Sequence, residues 1–270
     1  MIELDDIAIS NGRHWEKTVR DGAGCTRPHL TLDVEAFKAY REHKTKVLPA
    51  PHCDDPIDRV VMKDVQGKQV LCLAAGGGQQ SAAYSLLGAH VTVFDLAEGQ
   101  LEGDRMAAAH YGYDVTTIRG DMRDLAVLAD QSFDIVHGMG MAWIPDTFHV
   151  YPEVTRTLKT GGLYRVSFTN PAVEFMDGSS WDGKGYRITV PYTQSREKEG
   201  DEIQFRHYMC DIFNGLVSRG FSIEQVEDRW IGQPDLDAPA GSWEHWLAYI
   251  VGFEIVARKS VFNARAEEEL

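Results

Sequence analysis

The chain has 270 residues, with 41 acidic against 27 basic side chains and a formal net charge of -14. A chain of this length can bury a core without disulfide or metal staples, and an acidic balance argues against a phosphate backbone or an anionic membrane as the main partner. The four cysteines, Cys25, Cys53, Cys72 and Cys210, form no CxxC pair and no zinc spacing. His52, Cys53, Asp54 and Asp55 are adjacent rather than spaced to converge on one ion, so no metal site is expected. Met1–Asp6 contain no apolar signal-peptide core, and no run of apolar residues is long enough to span a bilayer, so a cytoplasmic address is expected.

From about residue 68 the chain alternates strand and helix signals. Lys68–Ala74 is an apolar run ending in glycines, a buried strand by its pattern. Gln79–Leu87 follows as a helix with Gly88 placed to end it. His90–Asp95 is a second strand, Glu98–Tyr111 a helix closed by Gly112, and Val115–Arg119 a third strand. Phe133–His137 is a fourth strand. Thr147–Leu158 reads as a helix that Pro152 kinks or begins, and Gly161–Gly162 turn the chain into a fifth strand, Leu163–Thr169. Such alternation predicts an α/β fold with a doubly wound, mostly parallel sheet.

The rest departs from this rhythm. Tyr186–Tyr192 and Glu202–Tyr208 read as a hairpin inserted after the fifth strand. Cys210–Arg219 reads as a helix, Ile231–Ser242 as a loop, and Ser222–Trp230 and Tyr249–Arg258 as two closing strands. Before the first strand, Asp33 is placed to cap a helix carrying Val34, Phe37 and Tyr40. The expected division is an N-terminal helical lid and approach segment over 1–67, a domain over 68–260 with an insertion at about 171–208, and a charged tail over 261–270.

Three motifs carry chemistry. Ala74-Ala75-Gly76-Gly77-Gly78-Gln79-Gln80-Ser81 is a strand-to-helix turn whose glycines let backbone approach a ligand. Asp95 ends the next strand, where an acid suits the two hydroxyls of a ribose, or else caps the following helix. Ser81 stands where the strict dinucleotide fingerprint wants a third glycine, which weakens a nicotinamide reading. The third motif is the series Gly120-Asp121-Met122-Arg123-Asp124-Leu125, Phe133-Asp134-Ile135-Val136 and Leu158-Lys159-Thr160-Gly161-Gly162.

In this order the blocks resemble class I, Rossmann-like S-adenosylmethionine-dependent methyltransferases over about residues 68–170, and in particular a widespread bacterial subgroup. The resemblance implies a seven-stranded sheet with its last strand antiparallel, S-adenosylmethionine as cofactor, and methyl transfer to a small-molecule acceptor. It implies that Ala75, Gly76, Gly78, Gln79, Gln80 and Gln100 lie along the cofactor. Asp95 would hold the ribose, Leu96 would pack on the adenine, and Asp121 would accept from the adenine amino group beside Met122. His137 would face the space between sulfonium and acceptor. Many relatives carry an acid before the glycines, where this chain has Ala74 and Ala75. Gly138-Met139-Gly140-Met141 matches neither the motif of adenine-amino methyltransferases nor the acidic metal ligand of catechol-type enzymes.

A hydroxyl acceptor needs a base, most naturally histidine, whereas a thiolate or neutral amine does not. His137 is the expected catalytic base, with His29 and His207 as other candidates. Trp15, His29, Trp143, Asn170, Tyr192 and His207 are the expected substrate-binding residues. Trp181, Tyr186 and Tyr208 are further aromatics that either line the pocket or form the core of the added layer. Arg187, Arg196 and Arg206 are read as solvent-exposed, with carboxylate binding as the alternative. A nucleic-acid or membrane partner is not expected, and homodimerisation is left open. The competing readings are an NAD(P)-dependent oxidoreductase and a non-catalytic methyltransferase-like nucleoside-binding protein.

Overall fold

A computed structural model describes residues 4–49, 56–229 and 234–260. The His52–Asp55 cluster, Trp230 and the tail beyond residue 260 lie outside them. Three helices precede the sheet: α1 (Asp6–Arg20), α2 (Val34–Arg41) and α3 (Pro56–Met62). The expected cap is present, since Asp33 accepts from the Ala36 N–H at 3.0 Å. The sequence reading missed α1, which begins where Asp5 accepts from the Ala8 N–H.

The central elements alternate as β1 (Gln69–Leu73), α4 (Gln80–Leu86), β2 (His90–Asp95), α5 (Glu98–Tyr111), β3 (Val115–Arg119), β4 (Phe133–Gly138), α6 (Val150–Thr157) and β5 (Leu158–Phe168). Gly112 ends α5 in the left-handed region at φ 74, which glycine adopts without steric cost. The fifth strand starts earlier than Leu163. Phe133 pairs with Leu158 and Ile135 with Leu163, so residues 159–162 form an outward excursion within β5 rather than a turn before it. Pro152 sits in the first turn of α6, where its missing N–H costs nothing.

Beyond β5 come β6 (Met176–Asp177), β7 (Arg187–Ile188), β8 (Arg196–Glu199), β9 (Glu202–Phe205), α7 (Met209–Ser218), β10 (Phe221–Arg229), α8 (Trp243–Leu247) and β11 (Gly252–Lys259). The inserted hairpin has its second strand where expected, β9 within Glu202–Tyr208, but its first is β8 rather than Tyr186–Tyr192. Arg187–Ile188 pairs with β6, and β8 pairs with β9 around Gly200. The alternating charges of Arg196-Glu197-Lys198-Glu199 carry no apolar periodicity, so hydrophobic patterning cannot find that strand. A short helix, α8, follows the predicted loop, capped by Ser242 accepting from the His245 N–H.

The seven-stranded sheet runs β10-β11-β5-β4-β1-β2-β3. Strands β1 to β5 pair in parallel, and β11 is antiparallel to both β5 and β10. Alternation along β1 sends Val70 and Cys72 into the layer of α2–α5, and Leu71 and Leu73 into the layer of α6 and α7. The chain order reverses direction at β1, between β2 and β4, which opens a crevice at their carboxyl ends.

A buried ion network ties the far half together. Arg165 on β5, 1% exposed, places Nε 3.0 Å from Asp58 Oδ1 of α3 and Nη2 2.7 Å from Glu254 Oε1 of β11. Arg229 Nε lies 3.0 Å from the same Glu254 oxygen. Burial raises the Glu254 carboxyl above its ordinary range, against the pull of the two arginines.

Candidate active site

The glycine turn lies at the mouth of the crevice. Gly77 and Gly78 take φ 104 and 76, and Ala74 is held at φ 49 without the freedom of glycine. A Cβ at Gly76 would come within 2.7 Å of Gln100 Cβ and 3.0 Å of Asp95 Oδ2; one at Gly78 would meet the Gly103 carbonyl oxygen at 2.4 Å. These positions therefore demand glycine for close packing.

Two buried carboxylates order the turn. Asp95 accepts from the Gly76 N–H at 3.1 Å and from the Ala97 N–H at 3.0 Å. Asp104 accepts from the Gly77 and Gly78 N–H groups, each at 3.1 Å, and from the Ser81 hydroxyl. Burial raises Asp95 to about 6 and Asp104 to about 7, against the hydrogen bonds that favour their charge. Asp104 was not anticipated. Its signal was an acid on the buried stripe of α5, beside Gln100, Leu101, Ala107 and Ala108. Ser81, which breaks the dinucleotide pattern, is the hydroxyl that Asp104 holds.

Gln100 is buried, and its Oε1 has no hydrogen-bond partner. Gln79 spends its amide on the Gly24 and Arg27 carbonyl oxygens, at 3.2 and 3.0 Å, and so straps the N-terminal segment across the turn. Gln80 Nε2 lies 3.5 Å from Met139 Sδ. Ala75 is buried, and Leu96 and Met122 are half-buried at the ends of β2 and β3. Asp121 is buried and engaged: Arg123 Nε donates to both its oxygens at 3.0 Å, and the Arg123 Nη groups reach Asp5 at 2.9 and 3.0 Å.

His137 does not face the crevice. It is 1% exposed and points into the layer of α3 and α4, with Nε2 2.8 Å from Arg165 Nη1 and Nδ1 3.0 Å from the Tyr84 hydroxyl. A guanidinium can only donate, so Nε2 is the accepting nitrogen and its lone pair is spent. The expected base and cofactor contact at His137 is corrected to a core residue. Strand alternation is the reason: His137 shares its face with Ile135, which belongs to that layer.

The expected acceptor residues separate into groups. Trp15 on α1 and Trp143 after β4 meet edge to face with centroids 4.9 Å apart. Trp143 Nε1 donates to Glu202 Oε1 at 2.9 Å, and His14 Nε2 stands 3.8 Å from that oxygen. Asn11 fixes this wall, donating to the Trp143 and Ile203 carbonyls at 3.0 Å and accepting from the Ile203 N–H at 2.7 Å. His207, 8% exposed, donates from Nε2 to the Met141 carbonyl at 2.7 Å. It lines a small cleft with Ala142, Phe168, Thr169 and Arg206, beyond the ends of β4 and β5.

His29 is half-buried against the glycine turn, its N–H donating to the Gly78 carbonyl at 3.2 Å. Asn170 closes a local turn by accepting from the Ala172 N–H. Tyr192 is 66% exposed and stacks on Phe175 at 5.2 Å. Trp181 and Tyr186 pack with His245 and Tyr249 in a separate aromatic layer. Arg206 is buried rather than solvent-exposed, with its guanidinium 3.7 Å from the Phe175 ring centre. Sequence reasoning missed Asn11, His14 and Glu202, because they are polar side chains on α1 and β9 that only the fold brings together.

The turn fits an adenosyl ligand on its own terms. Its glycines pack closely on Gln100, Asp95 and Gly103, a carboxylate ends β2, and an unpartnered amide oxygen lies beside both. Residues 70–162 match the family model of a methyltransferase domain. A Bacillus subtilis (strain 168) protein, the uncharacterized methyltransferase YbaJ, is 29% identical over 82% of this chain and 89% of its own length. A ubiquinone biosynthesis O-methyltransferase of Hahella chejuensis is 34% identical, but over only 35% of this chain and 40% of that enzyme. Among solved structures, an S-adenosylmethionine-dependent methyltransferase of Mesorhizobium loti has a TM-score of 0.62 at 22% identity, covering 75% of this chain and 96% of that one. Magnesium protoporphyrin IX methyltransferase of Synechocystis, with S-adenosylhomocysteine bound, has a TM-score of 0.59 at 15% identity, covering 95% of this chain and all of that one. At such identities the solved structures speak for the fold. Together with the family match they define the class: residues 70–162 are a methyltransferase domain, carried on the fold of class I S-adenosylmethionine-dependent methyltransferases. Among the described residues no helix is long and apolar enough to cross a membrane.

Proposed function

We propose that the chain transfers the methyl group to a small apolar molecule bound between the α1–Trp143 wall and the ends of β4 and β5, and that residues 1–67 act as a lid over the site. The observation that carries this reading is the meeting of Trp15, Trp143 and Glu202 beside the mouth of the crevice. Ligand pockets are commonly apolar with a few placed polar groups, and aromatic walls of this kind do not suit a nucleic-acid backbone. The ubiquinone biosynthesis relative is named for a small-molecule pathway, and this chain spans under half of that enzyme.

When bound, S-adenosylmethionine supplies a methyl on a sulfonium, an electrophile already activated. The protein's task is then to position the acceptor in line and to handle its proton. In this reading Asp95 takes the ribose hydroxyls, Gly76 and Gly78 pass close to the cofactor with Ala75 and Gln80 nearby, and Gln100 Oε1 accepts from it. Leu96 and Met122 flank the adenine, and Asp121 shares its acceptor capacity between Arg123 and the adenine amino group. Gln79 acts by holding the 24–27 strap.

His207 takes the role first expected of His137. Its Nε2 carries the proton given to Met141, so Nδ1 holds the lone pair. Burial lowers its proton affinity, which keeps the ring neutral at pH 7. Such a ring can accept a proton from a hydroxyl acceptor. The test is methyl transfer from S-adenosylmethionine to a panel of phenols, hydroxy acids, amines and thiols, repeated with His207→Gln. Transfer to phenols, with kcat lost by about a hundredfold in the variant, is expected. Transfer only to protein or nucleic acid would overturn the acceptor class.

A further inference from the structure

Beneath α1, on its outer side, lies a cavity of about 400 Å³ lined by Leu4, Ala8, Ile9, Gly12, Arg13, Glu16, Arg20, Leu96 and Arg119. No residue of the glycine turn, and neither Asp95, Asp121 nor Met122, contributes to it. Its volume falls within the range of small-molecule sites.

The charge on its wall runs against the rest of the molecule. In a chain of net charge -14, three exposed arginines and one acid line one opening. Elsewhere several arginines are matched by acids, as Arg105 with Glu98, Arg123 with Asp121, Arg156 with Glu153, Arg165 with Glu254 and Arg258 with Glu224, while Arg27, Arg41, Arg187, Arg196 and Arg219 stand singly at the exposed surface. Among the described residues, the Arg13 and Arg20 side chains enter no ion pair, although Arg20 lies near enough to Asp21 to favour its charge. Arg119 has only its Nε fixed, donating to the Leu96 carbonyl at 3.1 Å, so its Nη groups remain available.

The single acid on the wall does not answer them. The Glu16 carboxylate accepts from the Glu98 N–H at 2.7 Å and the Gly99 N–H at 3.4 Å, where it caps the start of α5. The remaining lining is apolar, and Leu4 and Ile9 are 37% and 39% exposed. Guanidinium geometry matches carboxylate and phosphate oxygens.

We infer that this cavity is a binding site for an amphipathic organic anion, an aliphatic carboxylate or phosphate ester whose apolar body lies on Leu4, Ile9 and Leu96 and whose head is held by Arg13 and Arg119. It adjoins the cofactor crevice across Leu96 and takes no other residue assigned to the cofactor, so the inference does not depend on the acceptor proposed above.

The experiment is calorimetric titration of the full chain with decanoate, decyl phosphate and decan-1-ol, each below its micellar concentration, with and without saturating S-adenosylhomocysteine. Both anions are expected to bind whether or not S-adenosylhomocysteine is present, and the alcohol about tenfold or more weakly, the loss expected when a charge-assisted hydrogen bond is removed. Arg13→Gln and Arg119→Gln should each weaken the anions about tenfold and leave S-adenosylhomocysteine affinity unchanged. Ile9→Glu, acting from the apolar wall, should abolish anion binding. Absence of anion binding, equal binding of the alcohol, indifference to both arginine variants, or displacement by S-adenosylhomocysteine would each overturn the site.

Discussion

Arg123 donates to both oxygens of Asp121, at 3.0 Å from Nε to each, and reaches on to Asp5, the cap of α1. The end of β3 and the first turn of the N-terminal helix are thus one electrostatic unit. Asp5 is lowered to about 2, chiefly by its hydrogen bond from Arg123. A carboxyl with a depressed folded value adds stability above its ordinary value, and that stability is lost as pH falls through about 2. Asp5→Asn keeps a capping side chain but loses the charge pair, and on a half-exposed site it should cost under about 1 kcal/mol. Asp5→Ala loses the cap as well, about 1 kcal/mol more. Chemical denaturation at pH 7 checks both, and the gap between wild type and Asp5→Asn should close near pH 2.

Asp95 sets the second prediction. Asp95→Ala removes a charged acceptor beside the cradle and should weaken S-adenosylhomocysteine binding by about tenfold or more. A bound ribose favours the ionised carboxylate, whose value in the free protein is raised to about 6. Affinity should therefore rise with pH through about 6 and level off above it. Calorimetry between pH 5 and pH 8 gives the profile, and a flat profile in the wild type would show that Asp95 does not meet the ligand.

Asp104 should make its mark on stability rather than binding. Its folded value, about 7, lies above the ordinary 3.8, so between these pH values the folded protein holds more protons than the unfolded chain. Stability from this group accordingly falls as pH rises from about 4 to about 7. Asp104→Asn should flatten that slope. It should also lower stability at pH 5, because an amide offers one acceptor oxygen for the three donors of Gly77, Gly78 and Ser81. Urea titrations at pH 5 and pH 7 separate the two effects.

His137→Gln tests the reassignment. With both ring nitrogens engaged in the core, the substitution should destabilise the fold by about 1–3 kcal/mol through broken buried hydrogen bonds. Below the unfolding temperature kcat should stay within a few-fold of wild type. A thousandfold loss of kcat in folded protein would restore His137 to the chemistry.

Ala74 offers a gain. At φ 49 its methyl group costs about 1–2 kcal/mol relative to glycine, partly offset by glycine's greater unfolded freedom. Ala74→Gly should raise stability by up to about 1 kcal/mol, read as a higher Tm.

The sheet was legible because β1 to β4 are apolar runs bounded by glycine or acid, and because α5 ends on the Gly112 that its pattern demanded. The glycine turn and Asp95 were legible for the same reason: both sit at strand ends, where local pattern fixes position. His137 was misread because a motif gives a residue's place along a strand but not its face. Asn11, His14 and Glu202 were invisible because they are polar side chains on segments about 190 positions apart in sequence, and their meeting is wholly tertiary. Arg123 lay within a recognised block, yet its bridge to Asp5 spans 118 positions of chain.

Asn11 offers Ile203 both an acceptor and a donor, as a neighbouring strand residue would. A single side chain of α1 thereby serves as a substitute strand along the edge of β9. The helix and the hairpin are consequently fastened through one side chain. Lifting α1 would bare the Ile203 backbone and release the Trp143 carbonyl in the same motion.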